Sequence, residues 1–155
     1  MKKLFILAIV KGAPETYHNV KTIMKALNLE KVPFSFCLAT DLKLQNILMG
    51  IQSSSSKYPC AYCESPRPFT KIGLIRTLGR IRELSKKFEE DGASKKDAKD
   101  YFNVIQAPLI EGADEDSVMD ILSIPELHLL IGIGKIFFSI PYAKFPPKNY
   151  FFHLQ

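Results

Sequence analysis

Two cysteines three residues apart are the clearest candidates for chemistry in this chain. Cys60 and Cys63 lie in the segment SSSSKYPCAYC. Two thiolates at this spacing can bind one tetrahedral Zn²⁺, but a structural site needs two further ligands. The other candidate ligands form no spaced pair; they are His18, Cys37, His128 and His153. The sequence therefore predicts half of a zinc site, and it leaves a redox-active pair and a coincidental pair open as alternatives.

Asp41 is the second candidate, because it directly follows an apolar run at 33–39 and precedes a helical pattern that begins at Leu42. An acid in this position commonly caps the helix with its side chain. The functional alternative is a carboxylate that binds Mg²⁺ or Mn²⁺ at the end of a strand and so supports phosphoryl transfer. Position alone favours the cap and leaves the metal-binding role open.

His128 and a group of basic residues allow two interpretations each. His128 lies in the apolar segment IPELHLLIGIGKIFF, where a histidine is more often a core residue than a polar group facing an active site. The basic residues occur along a predicted helix at 74–90 and are more often a solvated face than a phosphate-binding one. They are Arg76, Arg80, Arg82, Lys86 and Lys87.

Composition sets wide limits on the class of protein. The chain has 155 residues, a formal net charge of +5 and three cysteines. This mild basicity is compatible with a polyanionic partner without requiring one, and the odd cysteine count favours a reducing compartment. The most apolar region, 121–142, contains Pro125, Glu126, His128 and Lys135, which argues against a membrane span. The apolar run at 3–10 is read as a buried strand, with a short secretory leader as the alternative.

The order of elements along the chain predicts an α/β fold. Apolar runs at 3–10 and 33–39 are typical of strands, and Tyr17, Val20, Met24 and Leu27 recur at helical spacing between them. This pattern predicts a β-α-β unit with two parallel strands and Asp41 at the end of the second.

The composition changes after Gly50, which divides the chain into a partial α/β core at 1–51 and a second part at 52–155. The second part begins with the cysteine-containing loop. Beyond it, Ile75, Leu78, Ile81, Leu84 and Phe88 repeat at threes and fours, which predicts an amphipathic helix within a mainly helical region.

Two segments together resemble a known family. The segments DLKLQNILMGIQSSSSKYPCAYC and IPELHLLIGIGKIF resemble, in order and spacing, parts of the catalytic subunit of the V(D)J recombinase and of Transib-like transposases. The resemblance covers roughly residues 35–140. It implies a partial RNase H-like sheet followed by a helical, zinc-binding insertion, and a metal-dependent DNA strand cleavage and transfer reaction of the Asp-Asp-Glu (DDE) kind.

By this resemblance Asp41 is the second acid of the catalytic triad and binds Mg²⁺ or Mn²⁺. Cys60 and Cys63 are half of the zinc site, and His128 is the histidine near the active site. The other triad acids and the paired zinc histidines have no match in the chain, so the resemblance implies an internal fragment without catalysis of its own. It also implies a nuclear location, DNA as a weak, non-specific partner, homo-oligomer formation as an option and no membrane. The alternatives are a non-catalytic DNA- or protein-binding remnant in the nucleus or cytoplasm, and a small secreted protein.

Overall fold

The computed structural model of the chain describes residues 12–31, 37–52, 55–68 and 71–124. The chain divides into two compact units, 1–124 and 125–155, and every described residue belongs to the first. The second unit contains His128, which therefore lies outside the described residues, as do His153, the run at 3–10 and residues 33–36.

The described residues form four short α-helices, each of which begins after a capping side chain. Helix α1 is Tyr17–Leu27, α2 is Leu42–Leu48, α3 is Leu78–Glu90 and α4 is Val118–Ile121. Their N-caps are Thr16, Asp41, Thr77 and Ser117, whose side-chain oxygens accept hydrogen bonds from backbone N–H groups of the first turn. Two 3-10 turns, Leu29–Lys31 and Ala98–Tyr101, complete the regular structure of these ranges.

The apolar residues at helical spacing predict three helices, and the structure confirms these as α1, α2 and α3. Helix α1 ends at Asn28, which adopts the left-handed conformation that often terminates a helix. Helix α3 starts three residues later than Ile75, because Thr77 accepts from the backbone N–H of Arg80 and fixes the first turn there.

The predicted α/β fold is wrong for the residues that the structure describes. They contain no β-strand and no sheet, only isolated bridges that join single residues. The end of the apolar run at 33–39 shows why: Leu38 pairs with Leu122 alone, through one hydrogen bond from its N–H to Ile121 and one to its carbonyl from Ser123. An apolar run becomes a strand only when a neighbouring segment pairs along its length. The predicted RNase H-like β-α-β unit is therefore wrong for the described residues, and the run at 3–10, predicted to pair in parallel with 33–39, lies outside them.

The predicted mainly helical second part is also wrong within 55–124. Only α3 and α4 are α-helical there, and loops joined by backbone hydrogen bonds make up most of the rest. These loops still enclose a common apolar core with the helices. Its buried members include Leu48, Met49, Ile51, Leu78, Ile81, Val104, Val118 and Leu122. This core includes residues of α2, α3, α4 and the loops between them. It therefore packs the cysteine-containing loop against helices that precede it and helices that follow it in the sequence.

No helix in the described ranges is long and apolar enough to cross a membrane.

Candidate metal centre

A short antiparallel contact shapes the loop that contains Cys60 and Cys63. Cys63 forms an isolated bridge with Ile75. The N–H of Glu64 donates to the carbonyl of Leu74 at 2.8 Å, and the N–H of Arg76 donates to the carbonyl of Tyr62 at 2.9 Å. The chain leaving the cysteine pair is thereby tied to the segment that enters α3, so the pair sits on a loop with a fixed base.

The approach of the two segments is close enough to require glycine at position 73. A Cβ atom built there would lie 2.0 Å from the carbonyl carbon of Glu64 and 2.2 Å from the nitrogen of Ser65. The N–H of Gly73 donates to the hydroxyl oxygen of Ser65 at 2.9 Å. Gly73 therefore allows the segment after the cysteine loop to lie directly against it.

Both cysteines are free and half-buried. They lie close enough for each thiol to affect the pKa of the other. The backbone N–H groups of Tyr62 and Cys63 act to lower the pKa of Cys60, and the backbone and hydroxyl of Ser65 act to lower that of Cys63. N–H groups directed at one atom favour its anionic form. The loop is therefore arranged around two sulfur atoms that can act as thiolates.

The two sulfurs differ in how strongly their surroundings favour the thiolate. Burial raises the pKa of Cys60 above its usual value, and the backbone N–H groups only partly oppose this effect. Burial also acts to raise the pKa of Cys63, but its hydrogen bonds with Ser65 and Cys60 and the charge of Arg76 together hold it below its usual value. The thiol of Cys63 donates a hydrogen bond to the hydroxyl oxygen of Ser65 at 3.1 Å. The surroundings therefore shift the pKa values of the two thiols in opposite directions.

Arg76 holds the loop from inside the core. Its side chain is fully buried, and its Nε donates to the carbonyl oxygens of Cys60 at 3.1 Å and Cys63 at 3.2 Å. Its Nη2 donates to the carbonyl of Phe102 at 2.8 Å, whereas its Nη1 has no hydrogen-bond partner. Arginine remains charged in proteins even when burial lowers its pKa, as it does here. A permanent positive charge therefore lies directly behind the cysteine pair.

Helix α2 supports the same loop from the other side with buried polar groups. The amide of Gln45 donates to the carbonyl of Ser123 at 2.8 Å, and the hydroxyl of Tyr62 donates to the side-chain oxygen of Gln45 at 3.0 Å. The amide of Asn46 donates to the carbonyl of Pro59 at 3.4 Å. Polar groups that are buried and satisfied specify one arrangement of their neighbours. The loop is thus fixed to α2 at both Pro59 and Tyr62.

An open cavity of about 360 Å³ lies beside the cysteines. Leu42 of α2, Pro59, Tyr62 and Arg67 contribute to its wall together with both cysteines. The cavity gives small molecules access to the sulfur atoms.

Asp41 is the N-cap of α2, as one of its two interpretations predicts. Its Oδ1 accepts a hydrogen bond from the backbone N–H of Leu44 at 2.8 Å, and the residue is exposed. Asp41 thus caps α2, and the second turn of α2 holds the cysteine-containing loop. Helix α2 therefore links Asp41 to the cysteine pair. Its catalytic and metal-binding role stays a prediction, and so does the role of His128.

The basic residues predicted to lie on one helix differ in their burial and in their ion-pair partners. Arg76 precedes α3 and is buried, whereas Arg80 pairs with both Glu64 and Glu83, at 3.1 and 3.0 Å. Arg82 pairs with Asp114, and Lys86 lies 3.6 Å from Glu90. Most of the positive charge of α3 is therefore matched by carboxylates, which leaves little of it for phosphate groups.

Cys60 and Cys63 are the two predicted zinc ligands that lie within the described residues. Cys60 and Cys63 lie together, but no group of three or more histidine, cysteine or acidic side chains in these ranges could hold an ion. The free Cys37 is exposed. The residues present fit one half of a tetrahedral zinc site, whose other two positions water or ligands from elsewhere would fill.

Sequence reasoning missed Arg76, Gln45 and Asn103 as the residues that hold the loops. Asn103 is buried, accepts from the N–H of Tyr58 at 2.8 Å and donates to the side chain of Gln52 at 2.8 Å. Helical spacing placed Arg76 among solvent-facing positions, and the two amides carry no pattern of their own. One signal in the sequence could have indicated the role of Arg76. Arg76 lies at the start of a predicted apolar helix face, just before the cap residue Thr77.

Comparison with known proteins yields a partial match. The profile of a family described as Domain of unknown function (DUF8703) matches residues 5–67, which is less than half of the chain. The matched range includes α1, α2 and the cysteine pair and ends before Arg76. No curated protein and no solved structure matches the chain. Over residues 5–67 the chain is therefore similar to a family whose description assigns no activity.

Proposed function

We propose that the cysteine-containing part of this chain is a zinc-binding module, in a remnant of a transposon-derived recombinase of the DDE kind. The observation that carries the zinc proposal is the pair of half-buried thiols, Cys60 and Cys63, which line one cavity and whose carbonyl groups both accept from Arg76. The resemblance to the recombinase family rests on the same segment, from Asp41 to Cys63, together with the segment IPELHLLIGIGKIF.

Zinc suits this pair because thiolates are soft ligands and because metal binding requires the deprotonated form. The N–H groups and the charge of Arg76 lower the cost of deprotonation. A bound ion would fasten Cys60 to Cys63 and so stabilise the loop against unfolding. With two protein ligands the module holds zinc weakly, and its open positions stay accessible from the cavity.

We expect the chain to bind one zinc ion weakly and reversibly through both cysteines. In a competition titration with a chromophoric chelator, Cys60→Ser and Cys63→Ser should each lower the affinity at least about tenfold, because each removes one of two thiolate ligands. Cys37→Ser is the matched control and should leave the affinity unchanged. Zinc that survives desalting at one ion per chain would show that two further protein ligands exist, and an effect of Cys37→Ser would place the ion elsewhere.

The remnant carries no complete catalytic site in this proposal. Two-metal strand cleavage brings several carboxylates to a pair of ions, and Mg²⁺ loses its water reluctantly for one carboxylate. Asp41 already uses one oxygen to cap α2. DNA binding is accordingly the weak, salt-dependent kind that exposed lysines provide, such as Lys21 and Lys25 on α1 and Lys95, Lys96 and Lys99.

We expect no Mn²⁺-dependent nicking of supercoiled plasmid above the background of an Asp41→Asn variant. Asparagine is the sharper control here because it keeps the helix cap while removing the charged metal ligand. Gel-shift binding to DNA should weaken steeply as salt rises, without preference for sequence. Nicking by the purified chain that disappears in Asp41→Asn would show that the other catalytic carboxylates are present and would contradict the proposal that this remnant is inactive.

A further inference from the structure

We infer that the backbone edge of residues 73–77 pairs with the same edge of a second copy of this chain, so that two copies form an antiparallel ladder. This free edge consists of the carbonyl of Gly73, the N–H and carbonyl of Ile75 and the N–H of Thr77. The inference uses neither zinc nor the sulfur atoms. It rests on the direction of these backbone groups, on the apolar side chains beside them and on the charges at the ends of the ladder.

The segment that contains the free edge is paired along its other side. Ile75 forms an antiparallel bridge with the cysteine-containing loop through the hydrogen bonds of its neighbours, Leu74 and Arg76. Thr77 forms a second antiparallel bridge, with Ser117, and this bridge too is held by hydrogen bonds of the flanking residues. In such a pair the N–H and carbonyl of the bridged residue itself point away from the partner. Those of Ile75 and the N–H of Thr77 therefore point to the opposite side of the segment.

The free edge is unpaired and has an apolar border. None of its four backbone groups has a hydrogen-bond partner in the part of the chain that the structure describes. Ile72 is 101% exposed, Leu74 is 75% exposed and Ile75 is 59% exposed. A row of unpaired backbone groups with apolar side chains is a template for another strand, and proteins commonly cover such an edge or place charges on it. A second strand would satisfy these groups and cover the apolar side chains.

The order of the four groups matches its own reverse, and this favours a second copy over an unrelated strand. When Ile75 lies opposite Ile75 of the second copy, the two residues exchange two hydrogen bonds. The same register places the N–H of Thr77 opposite the carbonyl of Gly73 on each side of the two-fold axis, which adds two more. The remaining groups of this register are already used: the N–H of Gly73 donates to Ser65, and the carbonyl of Thr77 accepts from Ile81.

The charges at the ends of the ladder are complementary in this register. Lys71 is exposed, and no carboxylate of the described residues pairs with it. Position 71 of one copy lies opposite position 79 of the other, where the N–H of Gly79 donates to the carbonyl of Asp114 at 2.9 Å. The side chain of Asp114 is 74% exposed, and Glu115 beside it is exposed too. The lysine of each copy therefore approaches the acidic loop of the other, which favours this orientation.

The ladder keeps the cysteine pairs of the two copies apart. Cys63 lies on the far side of Ile75 in each copy, so three strand spacings, about 14 Å, separate the two Cys63 residues. A zinc ion binds its sulfur ligands at about 2.3 Å, so one ion cannot bridge this dimer. Dimer formation is therefore independent of zinc binding, and the failure of either proposal leaves the other standing.

The test is sedimentation equilibrium of the full chain at rising concentration in the presence of a metal chelator, where we expect a reversible equilibrium of monomer and dimer. Ile75→Pro removes two of the four hydrogen bonds of the ladder and none that a single chain makes, and Ile75→Lys places like charges opposite each other. Each should raise the dissociation constant at least about tenfold. Met119→Lys, at a 46% exposed residue of α4, is the matched control and should leave the constant unchanged. Far-UV circular dichroism checks that each variant folds.

Amide hydrogen exchange of the unmodified chain locates the ladder without any variant. The N–H groups of Ile75 and Thr77 should exchange more slowly as the protein concentration rises, because each gains an acceptor. The N–H of Leu74 is the internal control, since it also lacks a partner among the described residues but points to the other side of the segment. Equal slowing at Leu74 would place the contact elsewhere and overturn the inference.

Three further results would overturn the inference. The first is a chain that stays monomeric at about 1 mM, the concentration at which an association of about 4 kcal/mol is half complete. The second is a dimer that folded Ile75→Pro and Ile75→Lys variants leave unchanged. The third is a dimer that forms with saturating zinc and not with the chelator, because the ion and not the edge would then join the copies.

Discussion

Replacing Arg76 with methionine is expected to lower the free energy of unfolding by about 2–3 kcal/mol, because a carbonyl group left without its donor in the protein interior costs about 1–3 kcal/mol. Methionine fills similar volume, so the loss isolates the guanidinium. Three buried carbonyl groups, on Cys60, Cys63 and Phe102, would lose their donor. Each unsatisfied carbonyl costs free energy that the removal of a buried charge only partly returns. Urea unfolding followed by far-UV circular dichroism measures the change.

Arg82→Met is the matched control for this substitution. Arg82 lies on α3 and pairs with Asp114 at the surface, where the side chain of Asp114 is 74% exposed. Surface ion pairs contribute about 0–1 kcal/mol, so the control should change the stability by no more than that. Equal effects of the two substitutions would mean that Arg76 does not anchor the loop, and the description of the site would then be wrong.

Replacing Gly50 with alanine is expected to cost about 2–3 kcal/mol, the upper part of the usual range for one substitution. Gly50 has φ of +64°, which disfavours any side chain, and a Cβ there would lie 2.0 Å from the carbonyl oxygen of Gln106. That oxygen belongs to the backbone, so the loop itself must shift. Because the carbonyl of Gly50 accepts from the N–H groups of Ile105 and Gln106, the shift would break the contact between α2 and the 102–110 loop.

Gly92→Ala separates the two causes of this loss. Gly92 has a similar φ of +59°, but nothing lies within 4 Å of a Cβ built there. Alanine at 92 should therefore cost only the conformational part, about 1 kcal/mol. Thermal or urea unfolding of the two variants gives the difference. Losses of the same size would show that Gln106 does not crowd Gly50.

The local parts of this fold were predictable from the sequence, because short-range spacing and capping determine them. The stripe from Tyr17 to Leu27 is a helix, Asn28 ends it, and Asp41 starts the next. Each of these features depends on residues within one or two turns of the chain. The position of both cysteines in the wall of one cavity likewise follows from their spacing of three residues.

The absence of a sheet from the described residues and the burial of Arg76 could not be predicted in this way. Whether the run at 33–39 becomes a strand depends on a partner far along the chain, and within the described residues Leu122 pairs with Leu38 alone. Arg76 shares the spacing of an exposed helix face, but Thr77 starts the helix after it and leaves its side chain free to turn inward. Both outcomes depend on long-range contacts that carry no periodic signal.

X-ray absorption spectroscopy of the zinc-loaded chain tests the central claim most directly, because it counts the sulfur atoms bound to the ion. The account predicts two sulfur ligands at about 2.3 Å, the usual zinc–thiolate distance, with oxygen or nitrogen atoms in the other positions. This signal should disappear in a Cys60→Ser, Cys63→Ser double variant and persist in Cys37→Ser. Four sulfur ligands would mean that two chains share one ion, and an ion without sulfur ligands would contradict the proposal that Cys60 and Cys63 form a metal centre.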